Sequence, residues 1–361
     1  MQQHLNNLIS AVLPLDAEAM HQAQKRQAQL AKPPGSLGML EELSIQLAGI
    51  TGHVHNHICR KHLLVFAADN GVVCEGVSST PKSVTLQQSI NLTRAKTGAS
   101  VLAKQFGCQV TVCDMGIDAE VSTPAILNRK IAYGTQNIAQ GPAMTREQAL
   151  QGILTGLELA QNSFADVLGI GEMGIGNTTT SSAVAAVLLN VDVNEVVGRG
   201  AGLTDEAFLK KKAVIRQAIA LNQPNAQDPV DVLAKVGGFD LAAMCGAFLG
   251  AALARKPVVI DGLISAVAAL CAVRLCPAVR GYLVPSHQSY EIGYKLVMDA
   301  MDLKPIFSLG MRLGEGSGCP LAFQVLEAAC AIINDMATFE QAGIEDDYLE
   351  EIRQGDKFTP C

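Results

Sequence analysis

The stretch LLVFAADNG, residues 63–71, decides the fold of this chain. It opens with six consecutive apolar residues, a pattern typical of a strand that is buried on both faces, as in a parallel sheet. The run then ends at an acid beside a glycine. Five later segments also lead an apolar run to a carboxylate or a Ser-His pair near glycine: VTVCDMG at 110–116, VLGIGEMG at 167–174, VVIDG at 258–262, GYLVPSH at 281–287 and IFSLGMRLGEGSG at 306–318.

Helical segments separate these apolar runs. They cover residues 83–106, 144–162, 178–190, 204–221, 239–254 and 263–275. Strands that alternate with helices predict an α/β fold, here a Rossmann-like, doubly wound parallel sheet of about six strands. Both ends of the chain show only helical patterns. We therefore predict a large catalytic domain over 61–318 and a small helical domain built from 1–60 plus 319–361.

The residues that follow the predicted strands indicate an enzyme. In open parallel sheets, ligands bind outside the carboxyl ends of the strands. An acid-rich and glycine-rich edge is expected there, formed by Asp69, Asp114, Glu172, Asp261, His287 and Glu315. From the sequence, Asp261 has two interpretations, as a ligand of ribose hydroxyls or as the cap of a helix that begins near Leu263.

Composition excludes several classes of function. The 361 residues include 27 basic and 34 acidic side chains, a net charge of −7, which argues against non-specific nucleic-acid binding. The longest uncharged apolar run, 241–254, has fourteen residues, whereas a membrane span needs about twenty. Ten cysteines without a CxxC pair, and an N-terminus without features of a secretory leader, predict a cytoplasmic protein.

The segment GIGEMGIGNTTTSSA, residues 169–183, carries the strongest local signal. Glycines allow close approach of a ligand, and the start of a helix offers free amides to an anion, so a phosphate or phosphoribosyl group fits here. Residues 169–174 also match GxGxxG, which makes an NAD-dependent dehydrogenase an alternative. Two of those glycines lie within the predicted strand, and Glu172 would repel a pyrophosphate. A turn needed only for packing is the third interpretation.

The motif RLGEGSG, residues 312–318, places Glu315 between glycines. A carboxylate held there and shielded from water suits a general base. The alternative is a loop glutamate that faces solvent, as most glutamates do. The neighbouring acids and glycines favour the catalytic interpretation.

Two histidine-containing motifs point less clearly to chemistry. HVHNH, residues 53–57, has the spacing of metal ligands on a strand, but histidines after a helix are also favoured by the helix dipole, and we expect no metal. SHQSYE, residues 286–291, contains Ser and His. The chain has no GxSxG motif, so binding of polar substrate atoms is the better interpretation.

Taken together, these segments resemble one family closely, the nicotinate-nucleotide–dimethylbenzimidazole phosphoribosyltransferases of cobalamin biosynthesis. The resemblance extends over nearly the whole chain, in family order. Its pieces are KPPGSLGMLEEL (32–43), DNGVVCEGVSSTPKSVT (69–85), GEMGIGNTT (171–179), GRGAGLTDE (198–206), KVGGFDLAAMCGA (235–247), VIDGLIS (259–265), SHQSYE (286–291) and LGMRLGEGSG (309–318).

The resemblance implies a reaction in which nicotinate mononucleotide gives its phosphoribosyl group to 5,6-dimethylbenzimidazole, with Glu315 as general base. It implies that the aromatic base lies against Thr80, Gln88, Glu172 and Leu313. It also implies that the phosphoribosyl and nicotinate groups lie against Gly174, Gly176, Asn177, Gly200, Lys211, Gly262 and Ser289. No cofactor and no metal are implied, and family members are homodimers.

Three positions depart from the commoner family pattern: Met39, Asn70 and Tyr294. They leave the roles of those residues open. The sequence also leaves open whether the acceptor in the cell is a benzimidazole, a purine or a phenol. A non-catalytic nucleotide-binding protein, in which the acids serve only as caps, remains a further alternative.

Overall fold

The computed structural model describes residues 1–200 and 202–349. A single sheet of six strands lies at its centre, in the order β3-β2-β1-β4-β5-β6, with every neighbouring pair parallel. This is the Rossmann strand order, and it confirms the predicted doubly wound sheet. The strands are β1 (Lys61–Ala68), β2 (Cys108–Gly116), β3 (Ile126–Asn128), β4 (Val167–Met173), β5 (Val258–Ile260) and β6 (Leu283–Pro285).

Helices cover both faces of the sheet. The side chains of β1 illustrate this burial on both faces. Leu64 and Phe66 belong to one apolar cluster, while Leu63 and Val65 belong to another, because successive side chains of a strand point to opposite faces. A strand buried on both sides needs apolar residues at every position, as the sequence shows.

Each of the six helical segments predicted between the strands is helical, with one division. The segment 83–106 forms two helices rather than one, separated at residues 94–97. The helices are α1 (Gln2–Ser10), α2 (Ala17–Gln29), α3 (Met39–Thr51), α4 (Val84–Thr93), α5 (Gly98–Gln105), α6 (Arg146–Gln161), α7 (Asn177–Leu189), α8 (Val193–Val196), α9 (Asp205–Asn222), α10 (Pro229–Val236), α11 (Phe239–Leu253), α12 (Leu263–Leu275), α13 (Gly293–Met301), α14 (Cys319–Asp335) and α15 (Phe339–Ala342).

Helix α11 contains most of the long uncharged run, and all of its residues up to Ala252 are buried. It packs against α6 and α12. Within the described residues, no helix is both long enough and apolar enough to cross a membrane.

The prediction of a strand at 306–318 is wrong. The segment contributes an isolated parallel bridge between Phe307 and His287, beyond the end of β6, and the Ile306 amide donates to the Pro285 carbonyl oxygen at 3.1 Å. The reason lies in the backbone, since Gly310, Gly314 and Gly316 all have positive φ angles, which lie outside the β region of a regular strand. The sixth strand is instead β3, whose three residues are too few to give a recognisable pattern in the sequence.

The two ends of the chain meet in space. Leu30 forms an antiparallel bridge with Thr338, and the Arg26 side chain donates to the carbonyl oxygen of Ile333 at 3.1 Å. Helices α3 and α14 also share an apolar cluster with the sheet strands. The division of the chain into a small helical domain of 1–60 plus 319–361 and a large domain stays a prediction. Residues 350–361 lie outside the described part of the chain.

Candidate active site

The candidate site lies at the carboxyl edge of the sheet, where the strands end. The strand order reverses between β1 and β4, which opens a crevice at that point. Glu172 lies near the end of β4, Asp69 directly follows β1, and Asp261 directly follows β5. Asp114, at the same edge in β2, is occupied structurally, since it accepts the Ile117 amide at 2.8 Å and lies 3.0 Å from the Lys130 ammonium.

Glu315 is brought into this crevice by the loop 312–318, here called the Glu315 loop. Its side chain is buried, and its Oε2 accepts the Ala99 amide at 3.3 Å, in the first turn of α5. Its own amide donates to Glu172 Oε1 at 3.2 Å. The start of α5 therefore supplies one of its free backbone amides to the Glu315 side chain.

Glu172 lies at the centre of a group of buried acids. Burial is the main cause that raises the pKa of its carboxyl to about 8, and the charges of Asp240 and Asp261 act in the same direction. The Asn177 side-chain amide donates to both Glu172 Oε2 and Asp240 Oδ2, the latter at 3.1 Å. The sequence reasoning missed Asp240. In the sequence, Asp240 follows the motif Gly237-Gly238-Phe239 and directly precedes the longest uncharged run.

These buried acids predict a dependence of stability on pH. Between pH 6.5 and 8 the folded chain holds a proton on Glu172 that the unfolded chain, with an ordinary pKa of 4.5, has lost. The folded state therefore binds more protons, and we expect the free energy of unfolding to fall by about 1–2 kcal/mol across that window. Below pH 6.5, His62 and His287 oppose this trend, because burial lowers their pKa to about 4.

Urea titrations of the wild type and of Glu172→Gln at pH 6.5 and pH 8 measure this effect. The slope with pH, rather than the absolute stability, is the quantity to compare, since the substitution also changes hydrogen bonds. We expect a shallower slope in the variant. Equal slopes would show that Glu172 does not carry the proton.

Two glycines allow the Glu315 loop to approach the sheet. A Cβ added at Gly171, inside β4, would lie 2.6 Å from the Glu315 carbonyl oxygen. A Cβ added at Gly314, whose φ is +89°, would lie 2.5 Å from Glu172 Oε1. The GxGxxG pattern therefore has a packing explanation at Gly171, and Gly169 likewise leaves room for Cys319. Neither glycine lies in a turn that would cradle a pyrophosphate.

We expect Gly171→Ala to impair the enzyme, because the added methyl group must displace the backbone at Glu315. Overpacking of this kind typically costs about 1–3 kcal/mol of stability. The displaced loop should also lower turnover. Gly141→Ala is the matched control, since nothing lies within 4 Å of its added Cβ. Thermal unfolding and steady-state rates of both variants check this, and equal behaviour of the two would contradict it.

Lys211 is the buried cation of the site. Its Nζ donates to Thr178 Oγ1 at 2.9 Å and to the Gly198 carbonyl oxygen at 3.3 Å. Burial lowers the pKa of the ammonium to about 8, against the opposing charge of Glu291. A Cβ built on Gly200 would lie 3.7 Å from the same Nζ, so Lys211 and Gly200 are close neighbours.

The remaining predicted phosphoribosyl residues flank α7 and β5. Gly176 has a φ of +91° and is the N-cap of α7, where Asn177 is the first residue, and the Asn177 amide donates to the Gly174 carbonyl oxygen at 3.2 Å. Gly174 leaves room for the Ala68 carbonyl oxygen, 2.3 Å from where a Cβ would stand. Near β5, the position of a Cβ on Gly262 lies 3.7 Å from Ser289 Oγ.

Ser286 and His287 do not form a catalytic triad with Asp261. Ser286 Oγ lies 3.0 Å from His287 Nδ1, and Asp261 Oδ1 lies 3.8 Å from the same nitrogen. A triad requires the serine and the acid on different ring nitrogens. The Asp261 carboxylate instead accepts amides of the Glu315 loop, and α12 has no side-chain cap, so the helix-cap interpretation is wrong.

The predicted base-binding residues divide into two groups. Leu313 belongs to the Glu315 loop and packs against Gly98 at the start of α5, with its side chain largely exposed. Thr80 and Gln88 make local contacts, with Ser78 and Asn91 respectively. The structure thus places Leu313 beside Glu315, whereas the described contacts of Thr80 and Gln88 stay within residues 78–91.

The opposite, amino edge of the sheet holds two cavities of about 410 and 390 Å³. His53 and His57 line the first of these. Its cations have structural partners, since Arg255 donates to a carbonyl oxygen at the end of α3 and Lys256 to one at the end of α6. In the part of the chain that the structure describes, no three potential ligand side chains cluster as a metal site would require.

Comparisons with known proteins show which family this chain is similar to. A family model described as a phosphoribosyltransferase matches residues 12–344. A nicotinate-nucleotide–dimethylbenzimidazole phosphoribosyltransferase of Ruminiclostridium cellulolyticum is 51% identical over 93% of this chain and 97% of its own length. One of Clostridium tetani is 48% identical over 97% and 98%. The crystal structure of the protein so named from Thermus thermophilus superposes with a TM-score of 0.87, at 39% identity, over 92% of this chain and all of that one.

Proposed function

This chain belongs to the nicotinate-nucleotide–dimethylbenzimidazole phosphoribosyltransferase family, and we propose that it transfers the phosphoribosyl group of nicotinate mononucleotide to 5,6-dimethylbenzimidazole. The products are α-ribazole 5′-phosphate and nicotinate. The single observation that carries the assignment of the site is the buried Glu315 carboxylate at the crevice between β1 and β4, held by the Ala99 amide.

In the proposed reaction, a ring nitrogen of the benzimidazole attacks the anomeric carbon of the ribose. A carbon–nitrogen bond forms to the acceptor, and the bond to nicotinate breaks with its electron pair leaving on the pyridine nitrogen. The other acceptor nitrogen loses its proton to Glu315. Nicotinate leaves from a cationic pyridinium, so the leaving group needs no acid. A positioned base contributes roughly a hundred- to ten-thousand-fold in rate.

The Glu315 carboxylate also supplies electrostatic stabilisation. Positive charge develops on the sugar as the bond to nicotinate breaks, and negative groups arranged in advance around that position lower the barrier. Asp261 and Glu172 contact the loop that carries Glu315, since both bind its amides. We assign the aromatic acceptor to the side of Glu172 and Leu313, with Thr80 and Gln88 as further walls.

Lys211 and the start of α7 provide the proposed phosphate site. The ammonium is buried and already oriented by Thr178 and Gly198. The positive end of the α7 dipole and the lack of side chains at Gly174, Gly176 and Gly200 suit a phosphate monoester. Gly262 and Ser289 complete the sugar and nicotinate side of the site in this proposal.

We also propose that the protein is a cytoplasmic homodimer. Apolar side chains stand exposed on and near the Glu315 loop, at Leu309, Leu313, Tyr290 and Ile292. Apolar surface beside a site is typical of an interaction surface, and a second copy of the chain would cover it. Light scattering of the purified protein tests the dimer.

One assay tests the proposed function. The protein is incubated with nicotinate mononucleotide and dimethylbenzimidazole, and free nicotinate and α-ribazole phosphate are quantified by chromatography. Adenine and p-cresol, offered in parallel, test the acceptor class. Both products should accumulate in equal amounts with the benzimidazole. Absence of nicotinate release with every acceptor would reject the transferase, and NAD binding in its place would favour the dehydrogenase.

A further inference from the structure

Two buried carboxylates hold the Glu315 loop through its backbone. Asp261 Oδ2 accepts the Gly316 amide at 3.0 Å, and its Oδ1 accepts the Gly318 amide at 2.7 Å. Glu172 Oε1 accepts the amide of Glu315 itself. Three of four successive amides, at 315, 316 and 318, therefore bind acids that come from two neighbouring strands.

This loop needs such support because its backbone is strained. Glu315 has a φ of +63°, in the left-handed region that non-glycine residues rarely adopt. A residue in that conformation persists only where its surroundings determine it. Asp261 binds two of the amides that follow, so it fixes the direction in which the Glu315 side chain leaves the loop.

Hydrogen bonds through Ser265 connect Asp261 to β4. Its amide donates to Ser265 Oγ at 3.2 Å, and that hydroxyl donates to the Ile170 carbonyl oxygen in β4 at 3.0 Å. A Cβ added at Gly318 would stand 3.0 Å from Asp261 Oδ1, so the loop lies directly against the carboxylate. The position of the loop is thereby tied to β4 and β5 rather than to the surface.

We propose that Asp261 is a positioning residue for the phosphoribosyl transfer, which holds Glu315 in place through the amides of Gly316 and Gly318. This inference rests on the proposed function. The positioning role of Asp261 differs from a ribose-binding role. An acid that binds the sugar would determine the affinity for nicotinate mononucleotide, whereas a positioning residue determines turnover.

Asp261→Asn tests the proposal. The asparagine side chain has the same shape as aspartate, but its NH₂ group must face the backbone amide of Gly316 or Gly318. Two hydrogen-bond donors would then face each other. We expect kcat to fall by ~10- to 100-fold, since small misplacements of a catalytic group have effects of that size, with KM for nicotinate mononucleotide within ~3-fold of wild type. In a Glu315→Gln background the same change should lower the residual rate by less than ~3-fold, because Asp261 acts through Glu315.

Asp166→Asn is the matched control. Asp166 also accepts two loop amides, from Cys59 at 3.0 Å and Arg60 at 2.8 Å, but at the amino edge of the sheet. Its loss should leave kcat unchanged. If Asp261→Asn does not fold, Asp261→Ser repeats the test without a contact between two donors.

Several results would overturn the proposal. They are unchanged kcat in Asp261→Asn, a rise in KM without a fall in kcat, a full additional loss in the Glu315→Gln background, or failure of both Asp261 variants to fold while Asp166→Asn folds. Each of these leaves the proposed function intact as long as the wild type releases nicotinate and Glu315→Gln is impaired. Failure of the wild type to release nicotinate would reject the function itself.

Discussion

Glu315→Gln should lower kcat by roughly a hundred- to ten-thousand-fold while the affinity for nicotinate mononucleotide stays near that of the wild type. The amide oxygen can still accept the Ala99 amide, so the side chain keeps its contact with α5. The amide cannot accept a proton from the benzimidazole. The loss therefore falls on the chemical step and leaves the phosphoribosyl contacts unaffected.

Steady-state kinetics and calorimetric titration with nicotinate mononucleotide measure the two halves of this expectation. Glu327→Gln is the control, since Glu327 lies on α14, which follows the Glu315 loop, but pairs with Lys61 at the amino edge of the sheet. Unchanged turnover in Glu315→Gln would show that Glu315 is not the general base. Another group would then have to accept the proton of the benzimidazole.

Lys211→Met should raise KM for nicotinate mononucleotide by ~10- to 100-fold with a smaller effect on kcat. A hydrogen bond to a charged group contributes about 1.5–3 kcal/mol, which corresponds to that range of affinity. The same KM should rise in the wild type above pH 8, because burial lowers the pKa of the ammonium to about 8 and the charge is lost there.

Lys210→Met separates a specific effect of Lys211 from a general effect of charge. Lys210 is the preceding residue of α9 and its side chain is exposed. It should leave KM near that of the wild type. If Lys211→Met binds nicotinate mononucleotide normally, Lys211 serves only to hold the 198–200 backbone, and the phosphate must be bound elsewhere.

Much of the sheet could be predicted from the sequence because its cause is local. The strand at 63–68 is apolar at each position since both of its faces are buried, and four other strands are rich in apolar residues. The segment 306–318 is an exception, because its glycines turn the backbone into the left-handed region. The three residues of β3 carried too little pattern to be found.

The candidate site shows a similar division. The glycines around Glu315 and the start of α7 marked both places in the sequence, since glycine is needed where backbone approaches a neighbour closely or adopts positive φ. The Ala99 amide that holds Glu315 lies 216 residues away along the chain. Asp240 reaches Asn177 across 63 residues. No pattern within a short window of sequence contains either pair.

The sequence by itself therefore determined the class of fold, the edge of the sheet where the chemistry lies, and Glu315 as the candidate base. Only the tertiary structure decided what surrounds that base: the start of α5, and the acids of β4 and of the turn after β5. The reason is physical. Burial on two faces and positive φ are properties of a residue and its nearest neighbours, whereas the contacts at the carboxyl edge depend on the strand order β3-β2-β1-β4-β5-β6, which brings distant parts of the chain together.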